Sequence, residues 1–213
     1  MTAYLADVAT LARKDLVLEL RARETLPAMA LFVLSALTVF HFALPAGSSG
    51  LAAKGLLWVA IVFTALVGLQ RAFVVEREQG VIDGLVLAPS DRSAIWLGKA
   101  LSILAFLGLA EVIALPAYAL FFRPVDAGLV GGVVLADVGI AAVGTLLAAM
   151  ATASRARELL LPLLFLPLAI PIVVGGVGAS VTDRPGRYVG LLLLYDALFA
   201  IISWASFEYV VTE

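Results

Sequence analysis

Three acidic residues, Glu111, Asp137 and Asp196, stand in otherwise apolar stretches of the 213-residue chain. An ionised carboxylate is costly in hydrocarbon, so such a residue faces protein or water, or takes up a proton. The three form a candidate intramembrane polar site for a proton or a polar substrate. The competing reading is a set of helix-packing hydrogen bonds. By spacing, Glu111 is the deepest. A second candidate is the polar segment 75–93, which contains Glu76-Arg77-Glu78-Gln79-Gly80-Val81-Ile82-Asp83-Gly84-Leu85-Val86 and then Pro89. Val81, Ile82, Leu85 and Val86 share one side of a short helix that Pro89 ends. Such an element either inserts its apolar face into a groove of a soluble partner or rests on lipid headgroups.

Other chemistry is poorly supplied. Without cysteine there is no disulfide, thiolate nucleophile or cysteine metal site. His41 is the only histidine, so neither a bis-histidine haem site nor a multi-histidine metal site is available. A single axial ligand and a polar residue at a helix end are the two readings of His41, and no metal site is expected. A phosphate-binding loop needs backbone amides and a lysine at fixed spacing. The nearest stretch, Gly47 to Gly55 around Lys54, has the wrong spacing. No serine–histidine–acid constellation is supported. The chain is therefore expected to be non-catalytic. Its formal net charge of −2 offers no basic excess for nucleic acid.

The elements that must position these residues follow from composition. With 63% hydrophobic and 14% charged residues, and a mean hydropathy of +1.09, a water-soluble globular domain is excluded. A membrane crossing must bond every backbone group internally, and a helical one takes about 20 residues. The expected fold is all-α: a polytopic membrane protein with six transmembrane helices, near 26–44, 54–74, 94–120, 129–152, 158–179 and 188–209. Pro116 predicts a bend in the third crossing. Pro162, Pro167 and Pro171 predict that the fifth is bent or interrupted, since each removes a backbone donor and crowds the preceding turn. That crossing is then either a bending element or a static kink. Gly128 and Gly132 make a small-xxx-small pair at the start of the fourth.

Residues 1–25 carry eight charges, and Leu5, Val8, Ala12, Leu16 and Leu20 recur at helical spacing. They predict a cytoplasmic amphipathic helix at the interface, or a solvated one, with the permease domain occupying 26–213. With the N-terminus inside, the cytoplasmic segments hold Arg13, Lys14, Arg21, Arg23, Arg71, Arg77, Arg92, Lys99, Arg155 and Arg157. The outer segments hold Lys54, Arg123, Arg184 and Arg187. That bias places both termini in the cytoplasm.

Several stretches together carry a family resemblance. They are Arg13-Lys14-Asp15 with Glu19-Leu20-Arg21, and Phe73 with Glu76, Glu78, Gly80, Asp83 and Leu85. Leu87-Ala88-Pro89, Leu97-Gly98-Lys99 and the Leu161-Pro162, Leu166-Pro167 and Pro171 run follow in order. The Glu–Gly segment alone marks type-2 ABC exporter permeases in general. The whole set resembles the CcmB family, the membrane permease subunits of the cytochrome c maturation transporter of the bacterial inner membrane. The resemblance implies a subunit that works as a pair with a second copy of itself and two copies of a separate ATPase, CcmA. CcmC and CcmD join the complex, and ATP hydrolysis drives release of the haem chaperone CcmE from CcmC. No cofactor is expected on this chain: ATP enters through the partner ATPase, and haem is handled by the complex. On this reading residues 76–86 couple to the ATPase. Two ATP sites between two ATPase subunits need two coupling elements, hence two permease chains. The alternatives are a type-2 permease for another lipid or small molecule, a non-transporting scaffold, and a proton-coupled carrier using Glu111.

Overall fold

The computed structural model describes residues 2–45, 50–73, 91–152, 156–182 and 184–212. Among the described residues the regular structure is entirely helical. The helices are α1 (Thr2–Ala22), α2 (Thr25–Ala43), α3 (Gly50–Arg71), α4 (Arg92–Phe121), α5 (Ala127–Thr152), α6 (Arg157–Val181) and α7 (Gly186–Thr212). All but α1 contain a stretch long and apolar enough to cross a membrane. The chain is thus a multi-pass membrane protein, and each crossing falls within four residues of its expected bounds.

α5 is the axis of the bundle, packed by α3, α4, α6 and α7. It is rich in alanine and glycine, which let neighbouring helices approach closely. A methyl group added at Gly132 would sit 3.5 Å from both the Gly176 carbonyl of α6 and the Trp58 ring of α3. One at Gly128 would sit 3.4 Å from the Ala179 carbonyl. The predicted small-residue pair therefore faces α6. Gly144 receives Leu69 in the same way, an added carbon there lying 2.5 Å from its Cδ2. Trp58 is fully buried against Gly176 and reaches Ser180 Oγ with its ring N–H at 3.5 Å.

α2 and α7 lie outermost, exposing Leu31, Val39 and Phe42 on one and Leu194, Ile201 and Trp204 on the other. In a bilayer these faces meet acyl chains. The prolines do not interrupt their helices: Pro116 lies inside α4, and Pro162, Pro167 and Pro171 lie inside α6. Tyr195 of α7 donates its hydroxyl to the Leu168 carbonyl at 2.7 Å, bracing α6 between two of its prolines. Neighbours of this kind are what let a bundle tolerate proline at depth.

α1 is joined to α2 by Arg23, which adopts a left-handed conformation (φ 55°). Its amide closes the helix on the Glu19 carbonyl at 3.1 Å. Thr25 then donates its hydroxyl to the Glu19 carboxylate, and Glu24 pairs with Arg71 at the end of α3. The buried side of α1, Val8 and Ala12, lies on α4 rather than on lipid. Leu5, Val17, Leu18 and Leu20 remain exposed along its outer side.

Candidate functional site

The coupling candidates Glu76, Arg77, Glu78, Gly80, Val81, Ile82, Asp83, Leu85 and Val86 lie outside the described residues. What the structure does define is how the two flanks of that segment are held. On one flank, Phe73 follows α3, and Lys99 Nζ lies 4.8 Å from its ring centroid, within cation–π range. On the other flank, Asp91 caps α4, accepting from the Ser93 amide at 2.9 Å and its hydroxyl at 2.8 Å. Those bonds, the amide first, hold the Asp91 carboxyl below its ordinary range. Arg92 pairs with Glu208 of α7 at 2.9 Å.

α1 completes this collar. Lys99 pairs with Asp15 at 2.8 Å, with both side chains nearly buried, and Lys14 lies 2.9 Å from the other Asp15 oxygen. Ser102 donates to the Gly98 carbonyl at 2.9 Å, with the Ala12 carbonyl of α1 3.2 Å away. α1 and α4 approach closely at Gly98: a methyl group there would lie 2.8 Å from Leu11 Cβ. Tyr4 and Ser93 hydroxyls are 3.2 Å apart. The N-terminal helix, the flanks of 74–90 and the end of α7 thus share one side of the bundle. Sequence reasoning counted Lys99 among the cytoplasmic cations and in the Leu97-Gly98-Lys99 stretch of the resemblance, without giving it a buried partner. Its position inside an apolar helix is the signal that it needed a buried partner.

The intramembrane acids divide into two places. The carboxyl groups of Glu111 on α4 and Asp137 on α5 are buried as near neighbours within the bundle. Glu111 Oε1 and Asp137 Oδ1 have no hydrogen-bond partner of their own. Asp196 of α7 sits elsewhere, against Gly139, where an added carbon would lie 2.5 Å from its Oδ1. Neither of its oxygens has a hydrogen-bond partner.

On the opposite side, Lys54 of α3 donates to Asp126 Oδ2 at 2.7 Å and to the Ser180 carbonyl at the end of α6. This clasp ties together three elements that sequence order keeps far apart. His41 lies near the same end with its ring 5.3 Å from Phe121 and 5.7 Å from Phe122. The Lys54 hydrogen bond is the main reason that Asp126 stays ionised below the ordinary carboxylate range, helped by the Leu129 amide. A depressed native pKa adds stability above the unfolded value of about 3.9 and loses it as pH falls through the folded value. Asp126→Asn should therefore lower the unfolding temperature by the same small amount from pH 7 to 5. The difference from wild type should begin to shrink as pH falls through about 4 and should vanish only below the lowered folded value. Because the Asp126 side chain is 51% exposed, the effect is limited to about 1 kcal/mol or less. Thermal unfolding of both proteins across that pH range checks it.

Comparison with known proteins now gives these features a family. The profile of the CcmB protein family matches residues 6–207, which include all of α2 to α6 and most of α1 and α7. The heme exporter protein B of Paracoccus denitrificans is 30% identical over 188 residues, covering 84% of this chain and 86% of that protein. Its namesake in Pseudomonas aeruginosa is 33% identical over 138 residues, 62% of this chain and 60% of the relative. The one from Rhodobacter capsulatus is 33% identical over 127 residues, and that alignment spans 58% of either protein. The stretch matched by the profile carries both flanks of segment 74–90, the buried Asp15–Lys99 pair and all three intramembrane acids: the chain belongs to the CcmB family.

Proposed function

We propose that this chain is the non-catalytic, membrane-spanning permease subunit of a haem-exporter ABC complex. A separate ATPase, CcmA, supplies the energy. The observation that carries this reading is the family match over residues 6–207, in a chain with no phosphate-binding loop of its own. The named function of the relatives, heme exporter protein B, supplies the cargo class. ATP-driven closure of the ATPase pair moves segment 76–86, and α3 and α4 carry the movement into the bundle. The grip on both flanks of that segment supports such transmission. A second copy of the chain supplies the second coupling element. CcmC and CcmD complete the assembly, and the output is release of haem-loaded CcmE. The side holding α1, the flanks of 74–90 and the end of α7 is the cytoplasmic side of the bacterial inner membrane. The excess of Lys and Arg on that side supports this orientation.

Affinity capture of the tagged chain from its native membranes tests the reading. A nucleotide-binding ATPase and haem-handling membrane proteins should be recovered with it. Recovery of the chain alone, from membranes that make c-type cytochromes, would refute it. An ATPase accompanied by lipid- or drug-handling proteins would move the chain to another exporter class.

A further inference from the structure

Between α1, α2, α3 and α4 lies a narrow slot that is open at its mouth. Its lining changes character with depth. Asp15, Glu19, Arg71 and Lys99 stand toward one end, and Met29 and Phe106 toward the other. Phe106 lies seven residues beyond Lys99 on α4, about 10 Å at 1.5 Å per residue. Thr25 opens α2 and Arg71 closes α3, so the charged end marks the boundary between water and the apolar bundle. The apolar end lies at hydrocarbon depth. A narrow slot with a charged mouth at the interface and an apolar throat within the membrane has the shape of an amphiphile.

The mouth carries both signs, two cations and two carboxylates. Arg71 already pairs with Glu24, and Lys99 with Asp15. A guanidinium has five N–H donors and a carboxylate several acceptor positions, so Arg71 and the two carboxylates keep capacity for a ligand. A headgroup that is only anionic leaves Glu19 and Asp15 facing like charge. A zwitterion answers both signs. We propose that the slot is a binding site for a zwitterionic phospholipid with a primary ammonium headgroup. The phosphate lies toward Arg71 and Lys99, the ammonium toward Glu19 and Asp15, and one acyl chain enters the throat. A bound lipid would thereby join α1 to the bundle, next to the collar around 74–90. This site is independent of the partner assignments above.

The full chain, purified in detergent, is titrated with phosphatidylethanolamine, phosphatidylglycerol or a fatty acid, and the bound species are counted by native mass spectrometry. One phosphatidylethanolamine per chain is expected, retained about tenfold better than phosphatidylglycerol. Arg71→Gln should remove the headgroup preference. Leu18→Trp, on the exposed rim of the slot, should block entry and reduce retention to the level of non-specific lipid. Because Leu18 is at the surface, that variant tests the site even where Arg71→Gln fails to fold. Retention without headgroup preference, preferred binding of the fatty acid or the anionic lipid, or undiminished retention in Leu18→Trp overturns the proposal.

Discussion

Lys99→Met should release α1 from the bundle while leaving the six crossings inserted. The substitution keeps an unbranched side chain of similar bulk and removes the ammonium with its charge and donors. Asp15 then keeps its Lys14 contact but loses a buried partner at 2.8 Å. Removing one member of a buried ion pair costs about 3–5 kcal/mol, mainly from the charge left behind. The remaining Lys14 contact places the expected loss near the lower end. It falls on the α1–α4 contact, because the crossings are held together by α5 and its neighbours. The readout is therefore local: trypsin should cut at Arg13 and Lys14 in Lys99→Met membranes far faster than in wild type. Adding Asp15→Leu should restore protection, because apolar residues of similar size often replace a buried pair without loss. If Lys99→Met is cleaved no faster than wild type, α1 is held by the Gly98 and Ser102 contacts and the ion pair is incidental.

This pair also shows where sequence reasoning stops. The crossings are legible because hydrocarbon imposes one local rule, about 20 apolar residues with internal backbone bonding, and each helix obeys it independently. The small face of Gly128 and Gly132 is legible for the same local reason. Asp15 and Lys99 are both visible as charges, yet nothing in their spacing says that one closes on the other across 84 residues. The Lys54–Asp126 clasp is non-local in the same way. The three acids stand out in the sequence as charges in apolar stretches and all three are buried in the structure, but only packing divides them. Asp137 turns toward α4 and Glu111, while Gly139, two residues further along α5, receives Asp196. Proline is the opposite case. Local rules predict that α6 is bent or interrupted at Pro162, Pro167 and Pro171; the helix is not interrupted there, and Tyr195 on the neighbouring helix braces it.

Replacing Ile82 and Leu85 together with Asp should abolish co-purification of the ATPase while membrane insertion is unchanged. The prediction rests on the proposed coupling role and on sequence spacing, which puts both side chains on one side of a short helix. Burying an aliphatic side chain of this size is worth about 1.5–3 kcal/mol. Losing two from a groove therefore weakens binding by about 3–6 kcal/mol, a factor of about 100 or more. Each new carboxylate adds the cost of desolvating a charge in an apolar groove. Insertion is unaffected because residues 82 and 85 lie between α3 and α4, so the hydropathy of every crossing is untouched. Asp126→Asn, at the far end of the bundle, is the matching control and should capture the ATPase as wild type does. The same comparison separates contact from transmission. A variant that keeps the ATPase but loses cytochrome maturation would place the defect in the collar of Phe73, Asp91 and Lys99 instead. Undiminished capture by the double Asp variant would remove segment 76–86 from the ATPase contact altogether. The outer side of α1, where Leu5, Val17 and Leu20 are exposed, would then become the surface to test.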